Sequence, residues 1–127
     1  MKNIFKLLIL SILVASLLLT GCSSPLSPDD TKLTIKNNTT STKINLVSWN
    51  GTYFGDDDIW DDVLNKYVKG INPGGSQSTR EVSAGSGYIY FWFSTGGSEY
   101  RTSSSITVSE GESMTFTFTD STSVVEN

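Results

Sequence analysis

Ser113-Met114-Thr115-Phe116-Thr117-Phe118-Thr119-Asp120 sets apolar side chains at 114, 116 and 118 against threonines at 115, 117 and 119. Successive side chains of a strand point to opposite faces, so this alternation describes a strand with one buried and one solvated face, as in an antiparallel sheet. Upstream, Tyr88-Ile89-Tyr90-Phe91-Trp92-Phe93 is apolar on both faces, which suits a strand in the middle of a sheet. Between these two stretches, Thr95-Gly96-Gly97-Ser98 and Ser109-Glu110-Gly111-Glu112 read as turns bracketing a further strand over residues 99–108.

Towards the N-terminus the strand signals continue over residues 32–36, 43–49 and 78–82. The 43–49 strand stops at Asn50-Gly51, a dipeptide that favours a tight hairpin turn. Short strands separated by turn signals about every 8 to 12 residues predict an all-β domain, an antiparallel β-sandwich of immunoglobulin-like or related topology. Residues 31–127 are enough for one such domain and no more.

One segment breaks the pattern. At about 100° per residue, residues 57–69 place Ile59, Trp60, Val63, Leu64, Tyr67 and Val68 on one arc and Asp61, Asp62, Asn65, Lys66 and Lys69 on the other. Asp56 or Asp57 suits the N-cap, Lys66 and Lys69 suit the negative end of the dipole, Asp62 and Lys66 make an i,i+4 pair, and Gly70 closes the C-terminus. The spacing predicts one amphipathic helix inserted between strands and packed on the sandwich.

The composition narrows the chemistry. Thirteen acidic against nine basic residues give a formal charge of -4. Losing Lys2 and Lys6 with a cleaved leader makes the remainder more acidic, so no nucleic-acid partner is expected. The chain has no His and a single Cys, which removes the near-neutral imidazole and, with Cys22 used elsewhere, the thiolate from catalysis. Glu110 and Glu112 are paired carboxylates, but across Gly111 they fit a solvated turn. Neither an enzyme nor a cofactor is expected.

At the N-terminus, Lys2 and Lys6 precede an apolar run over residues 7–19. It has the length and flanks of a signal-peptide core and falls short of the roughly 20 residues of a permanent span. Leu19-Thr20-Gly21-Cys22 then resembles the lipobox of bacterial lipoproteins: an aliphatic residue, two small ones, and Cys. The resemblance implies cleavage before Cys22, a diacylglycerol on its sulfur, and further fatty-acyl chains such as palmitate on the new amino group. Two or three chains hold a protein on a membrane where one does not, because each buried methylene contributes about 0.8 kcal/mol. Residues 1–21 are thus expected to be a lipoprotein signal peptide. Residues 22–30, with Pro25 and Pro28 among serines, read as the lipidated Cys and a flexible tether. Ser23 follows Cys22 where an Asp would favour inner-membrane retention, which points to the outer membrane or cell surface.

Two further groups invite a ligand. Asp56, Asp57 and Asp58, with Asp61 and Asp62 beyond them, concentrate hard oxygen donors that suit calcium. The spacing is not that of an EF-hand, and helix capping explains the same residues. Among the aromatics, Trp49, Tyr53, Phe54, Trp60, Tyr88, Tyr90 and Trp92 offer a stacking platform for sugar rings, and Trp49, Tyr53 and Phe54, which flank the Asn50-Gly51 turn, are the expected ligand-contact residues. Core packing is the competing explanation for the aromatics as a set.

Trp49-Asn50-Gly51 with Phe54-Gly55, then Gly85-Ser86-Gly87-Tyr88-Ile89-Tyr90-Phe91, Tyr100-Arg101-Thr102, and Gly111-Glu112 leading into Phe116-Thr117-Phe118-Thr119-Asp120, resemble a group of small bacterial lipoproteins of unknown function. The resemblance implies a shared fold built on glycine turns and strand aromatics, and brings no catalytic or ligand residues. The expected role is a membrane-anchored, non-enzymatic binding or adhesion module at the cell envelope, taking a glycan or an envelope or host protein. A structural or assembly subunit of an envelope complex is the alternative.

Overall fold

The computed structural model describes residues 30–127. The lipobox residues Leu19, Thr20, Gly21 and Cys22, the signal peptide and nearly all of the tether lie outside the described residues. Within them the β-branched and aromatic residues form strands almost throughout, as expected of side chains that fit a pleated, half-buried surface. In chain order these are β1 (Lys32–Asn37), β2 (Ile44–Trp49), β3 (Thr52–Phe54), β4 (Asp57–Asp61), β5 (Lys66–Ile71) and β6 (Ser76–Glu81), followed by β7 (Gly85–Gly87), β8 (Ile89–Phe93), β9 (Glu99–Thr102), β10 (Ile106–Val108), β11 (Ser113–Phe118) and β12 (Val124–Glu126).

The domain is all-β. One sheet has the order β11-β1-β6, a larger one β12-β9-β8-β2-β5-β4 with β3 also on β2, and β10 and β7 make a two-stranded ladder. Among the described pairs only β1 and β11 run parallel, from Lys32 opposite Ser113 to Asn37 opposite Phe118. Parallel neighbours require a crossover connection, and here the strands between them in sequence provide it. The expectation of an antiparallel neighbour for β11 is therefore corrected. Its alternation holds: Met114 and Phe116 are half-buried, Phe118 is buried, and the threonines at 115 and 117 are exposed.

Both sheets contribute to one core. Leu33 and Ile35 of β1 and Phe118 of β11 cluster with Ile44, Val47 and Trp49 of β2 and Ile89 and Phe91 of β8. The Phe91 ring meets Phe118 edge-on at 4.9 Å. Fully burying side chains of this size contributes about 1.5 to 3 kcal/mol each. β8 sits between β9 and β2, the interior position its two-sided apolar pattern predicts.

The inserted helix is not present. Residues 57–69 instead form the β4–β5 hairpin, with Ile59 opposite Val68, Trp60 opposite Tyr67 and Asp58 opposite Lys69. The side chains that share one arc of a helix are the same ones a hairpin pairs across its two strands, so periodicity alone does not separate the two forms. Three features favour the hairpin. Asn65 takes a left-handed φ of 51° in the turn. Asp61 folds its carboxylate over that turn, accepting from the Val63 and Leu64 amides at 2.9 and 2.7 Å. Gly70 lies where a Cβ would collide with the Ile44 carbonyl and with Ile59 Cδ1, so β5 joins β2 closely, Gly70 opposite Asn45 and Ile71 opposite Ile44.

The expected strand over 99–108 is two strands, β9 and β10, separated at Ser103-Ser104-Ser105. Thr102 turns inward there: it is buried, and its hydroxyl donates to the Ser104 carbonyl at 2.8 Å. The chain thereby leaves the large sheet and pairs with β7, Ile106 opposite Gly87.

Candidate functional site

The β4–β5 hairpin carries two unlike faces. One presents Ile59, Asp61 and Val68, all buried, yet Ile59 and Val68 stand apart from the main core cluster. Asp61 explains the arrangement: besides the turn amides it accepts from the buried Asn45 Nδ2 at 2.8 Å, and the neighbouring Asp62 amide donates to the Ser94 carbonyl at 3.1 Å. The hairpin is thus fastened to β2 and to the end of β8.

The other face meets solvent. Trp60 and Tyr67 form a cross-strand aromatic pair, ring centroids 5.2 Å apart and 74° between planes, beside the Asp58 to Lys69 ion pair at 2.8 Å. Trp60 is 41% and Tyr67 67% exposed, and Tyr53 on β3 is 69% exposed. Val63 and Leu64 at the turn are exposed as well.

Two grooves flank this hairpin. The first, about 440 Å³, is lined by Leu46, Tyr53, Lys66, Tyr67, Lys69 and Arg80 among others. It opens because β2 is shared. Its first residues pair with β5 and its last with β3, and Leu46 between them takes a left-handed φ of 48°, at the irregularity in the β2–β8 register. The second groove, about 420 Å³, places Trp60 and Phe93 among the polar Thr42, Lys43, Asp62 and Ser94.

The structure divides the expected ligand-contact residues. Trp49 is 0% exposed, its indole N–H donating to the Gly87 carbonyl at 3.1 Å, and Phe54 is 2% exposed within the core cluster. Both are corrected to core residues. Only Tyr53 of that trio presents its ring to solvent, because on β3 its neighbours alternate inward. Tyr88 is covered by the Arg101 guanidinium, 4.3 Å from the ring centroid. The helical spacing puts Trp60 and Tyr67 on an arc buried against the sandwich, whereas the hairpin turns both to solvent. Strand alternation, with Trp60 and Tyr67 two steps from Asp58 and Lys69, is the signal that sets them on the solvent face.

The acidic cluster does not converge. Asp56 bonds Arg80 at 2.7 Å, Asp57 accepts from the Asn72 amide at 2.9 Å, and Asp58 pairs with Lys69. Alternation along β4 turns Asp57 and Asp58 to opposite faces. The hydrogen bond from Arg80 holds the Asp56 carboxyl below the usual range, and Asp58 raises the Lys69 ammonium. Among the described residues no group of three or more His, Cys, Asp or Glu is placed to hold a metal ion. Calcium binding by Asp56, Asp57 and Asp58 together would require breaking both ion pairs. Glu112 closes its own turn by accepting from the Ser109 amide at 2.8 Å.

No protein-family profile, curated protein or solved structure matches this chain.

Proposed function

We propose that this chain is an exported lipoprotein, held on the membrane by acyl chains on Cys22, whose immunoglobulin-like β-sandwich is a non-enzymatic binding or adhesion head at the cell envelope. The observation that carries the reading is the separation between the chain's entry and the turn of its exposed hairpin. Thr31, where the tether joins the fold, is tied at the start of β1 by bonds from the Val82 and Gly111 amides. Asn37, at the other end of β1, donates to the Thr42 and Ile71 carbonyls. Ile71 lies opposite Ile44, and Ile44 opposite Phe93. The hairpin turn, bonded to Ser94, belongs to that far end. A head tethered through residues 22–30, which span about 30 Å at full extension, would carry the hairpin turn away from the bilayer. Outer-membrane or cell-surface placement follows the Ser23 argument.

Cys22→Ala tests the anchor. The protein is expected to move from the membrane fraction to the soluble fraction. Retention in the membrane fraction would overturn the lipid assignment.

The second reading, an assembly subunit, is favoured by the exposed Val63 and Leu64, which a protein neighbour would cover. It predicts one abundant protein crosslinked to the hairpin turn in cells.

A further inference from the structure

The two grooves and the rings between them make one continuous surface. Tyr53 and Tyr67 wall the first groove, Trp60 walls the second, and Tyr67 touches Trp60 edge to face. We propose that this surface is a saccharide site that seats a linear, uronate-containing glycan chain from the Tyr53–Tyr67 groove across Trp60. The inference rests on the reading of the chain as a binding head, and gives that head its ligand class and residues.

The rings supply the first half of the argument. An aromatic face is electron-rich, while the axial C–H bonds on one side of a hexose are weakly positive and apolar. Rings left in water are therefore matched by sugar faces, whose hydroxyls stay hydrated or find polar partners. The second groove offers such partners in Thr42, Lys43, Asp62 and Ser94.

Charge supplies the second half. On a chain with a formal charge of -4, the first groove gathers Lys66, Lys69 and Arg80. Asp58 and Asp56 hold Lys69 and Arg80, whereas Lys66 forms no ion pair among the described residues. A groove with one uncompensated cation suits a chain with spaced carboxylates better than a densely sulfated one. Lys66 and Lys69 also argue against a protein partner, since lysines are depleted at protein interfaces.

The test measures binding of the detergent-solubilised full chain to immobilised hyaluronan, alginate and polygalacturonate oligosaccharides, with dextran as the neutral control. At least one uronate chain is expected to bind and dextran to bind more weakly. Tyr53→Ala and Tyr67→Ala should each weaken binding by at least about tenfold, or 1.4 kcal/mol, while the protein stays folded at the temperature of the assay. Lys66→Gln, a change at an exposed side chain, should weaken it and reduce its salt dependence, which keeps the test valid if a tyrosine variant fails to fold. Failure of all three uronates to bind would overturn the proposal. Binding indifferent to Tyr53, Tyr67 and Lys66 would overturn the site while leaving the binding-head reading intact. A protein captured through Tyr67 in place of any glycan would overturn the ligand class. Fractionation of the Cys22→Ala variant reports on the anchor independently of all these outcomes.

Discussion

The core and the β4–β5 hairpin use the same kinds of side chain to opposite ends. In the core, Trp49, Phe91 and Phe118 lose nearly all contact with water, and the one polar ring atom among them, the Trp49 indole nitrogen, is bonded to a backbone carbonyl. On the hairpin, Trp60 and Tyr67 touch each other and remain exposed on the solvent face, as does Tyr53 nearby. The first group stabilises the fold through area removed from water. The second contributes little to the fold and is available to a ligand. Aromatic content alone therefore carries no functional meaning in this chain; the face on which each ring lies decides it.

The sharpest way to break that contrast is to remove one ring from each region and compare denaturant unfolding. Trp49→Ala is expected to cost about 3 to 5 kcal/mol, the range for deleting a large buried aromatic. Tyr67→Ala should cost less than about 1 kcal/mol, the scale of a cross-strand pair on an exposed face. Equal costs would mean that the hairpin rings are structural and would remove the basis for a site there.

Asp61 tests how the hairpin is held. Its carboxylate serves two turn amides and the buried Asn45 amide, so Asp61→Ala leaves buried donors without an acceptor. A loss of about 1 to 3 kcal/mol is expected. Hydrogen exchange should accelerate in β4 and β5 more than in β1 or β8. Uniform acceleration would contradict a role for Asp61 in fastening the hairpin.

The smallest effect lies in the loops at the same end. Asp120 accepts from the Thr40 hydroxyl and amide, which lowers its carboxyl in the folded chain. A carboxyl lowered on folding adds stability that is complete above its unfolded value, about 3.9, and disappears as pH falls through the folded value. Asp120→Asn should therefore lower stability slightly at neutral pH, where the contribution is complete, and match the unsubstituted chain below the folded value, so that this part of the acid limb flattens. An unchanged acid limb would show that the contact contributes nothing to stability.

What was legible in the sequence was local. The two-sided apolar run of β8, the alternation of β11 and the turn at Asn50-Gly51 each follow from a few adjacent residues. Asn50 and Gly51 take the left-handed φ values, 45° and 82°, that the hairpin turn needs. Residues 57–69 mislead because their apolar set satisfies a helical arc and a cross-strand ladder equally. Beyond the turn itself, what separates the two is remote: Asn45 paired with Asp61, and the close approach of Gly70 to Ile44. The burial of Trp49 and Phe54 against the exposure of Tyr53 depends on which face of β2 and β3 meets the other sheet, and no single strand contains that information. β12 was missed because it is short and gains its identity from pairing with β9, Val124 opposite Thr102.

The central claim is that the chain is anchored by lipid on Cys22 and displays the hairpin turn at the cell surface. Cys22 is its only cysteine, so an acylated Cys22 leaves an introduced thiol as the only one to label. The most direct measurement is reaction of the Leu64→Cys variant on intact cells with a maleimide that does not cross membranes, against a lysed control. The account predicts labelling on intact cells of protein recovered in the membrane fraction. Labelling only after lysis, or equal labelling of the unsubstituted chain at Cys22, would contradict it.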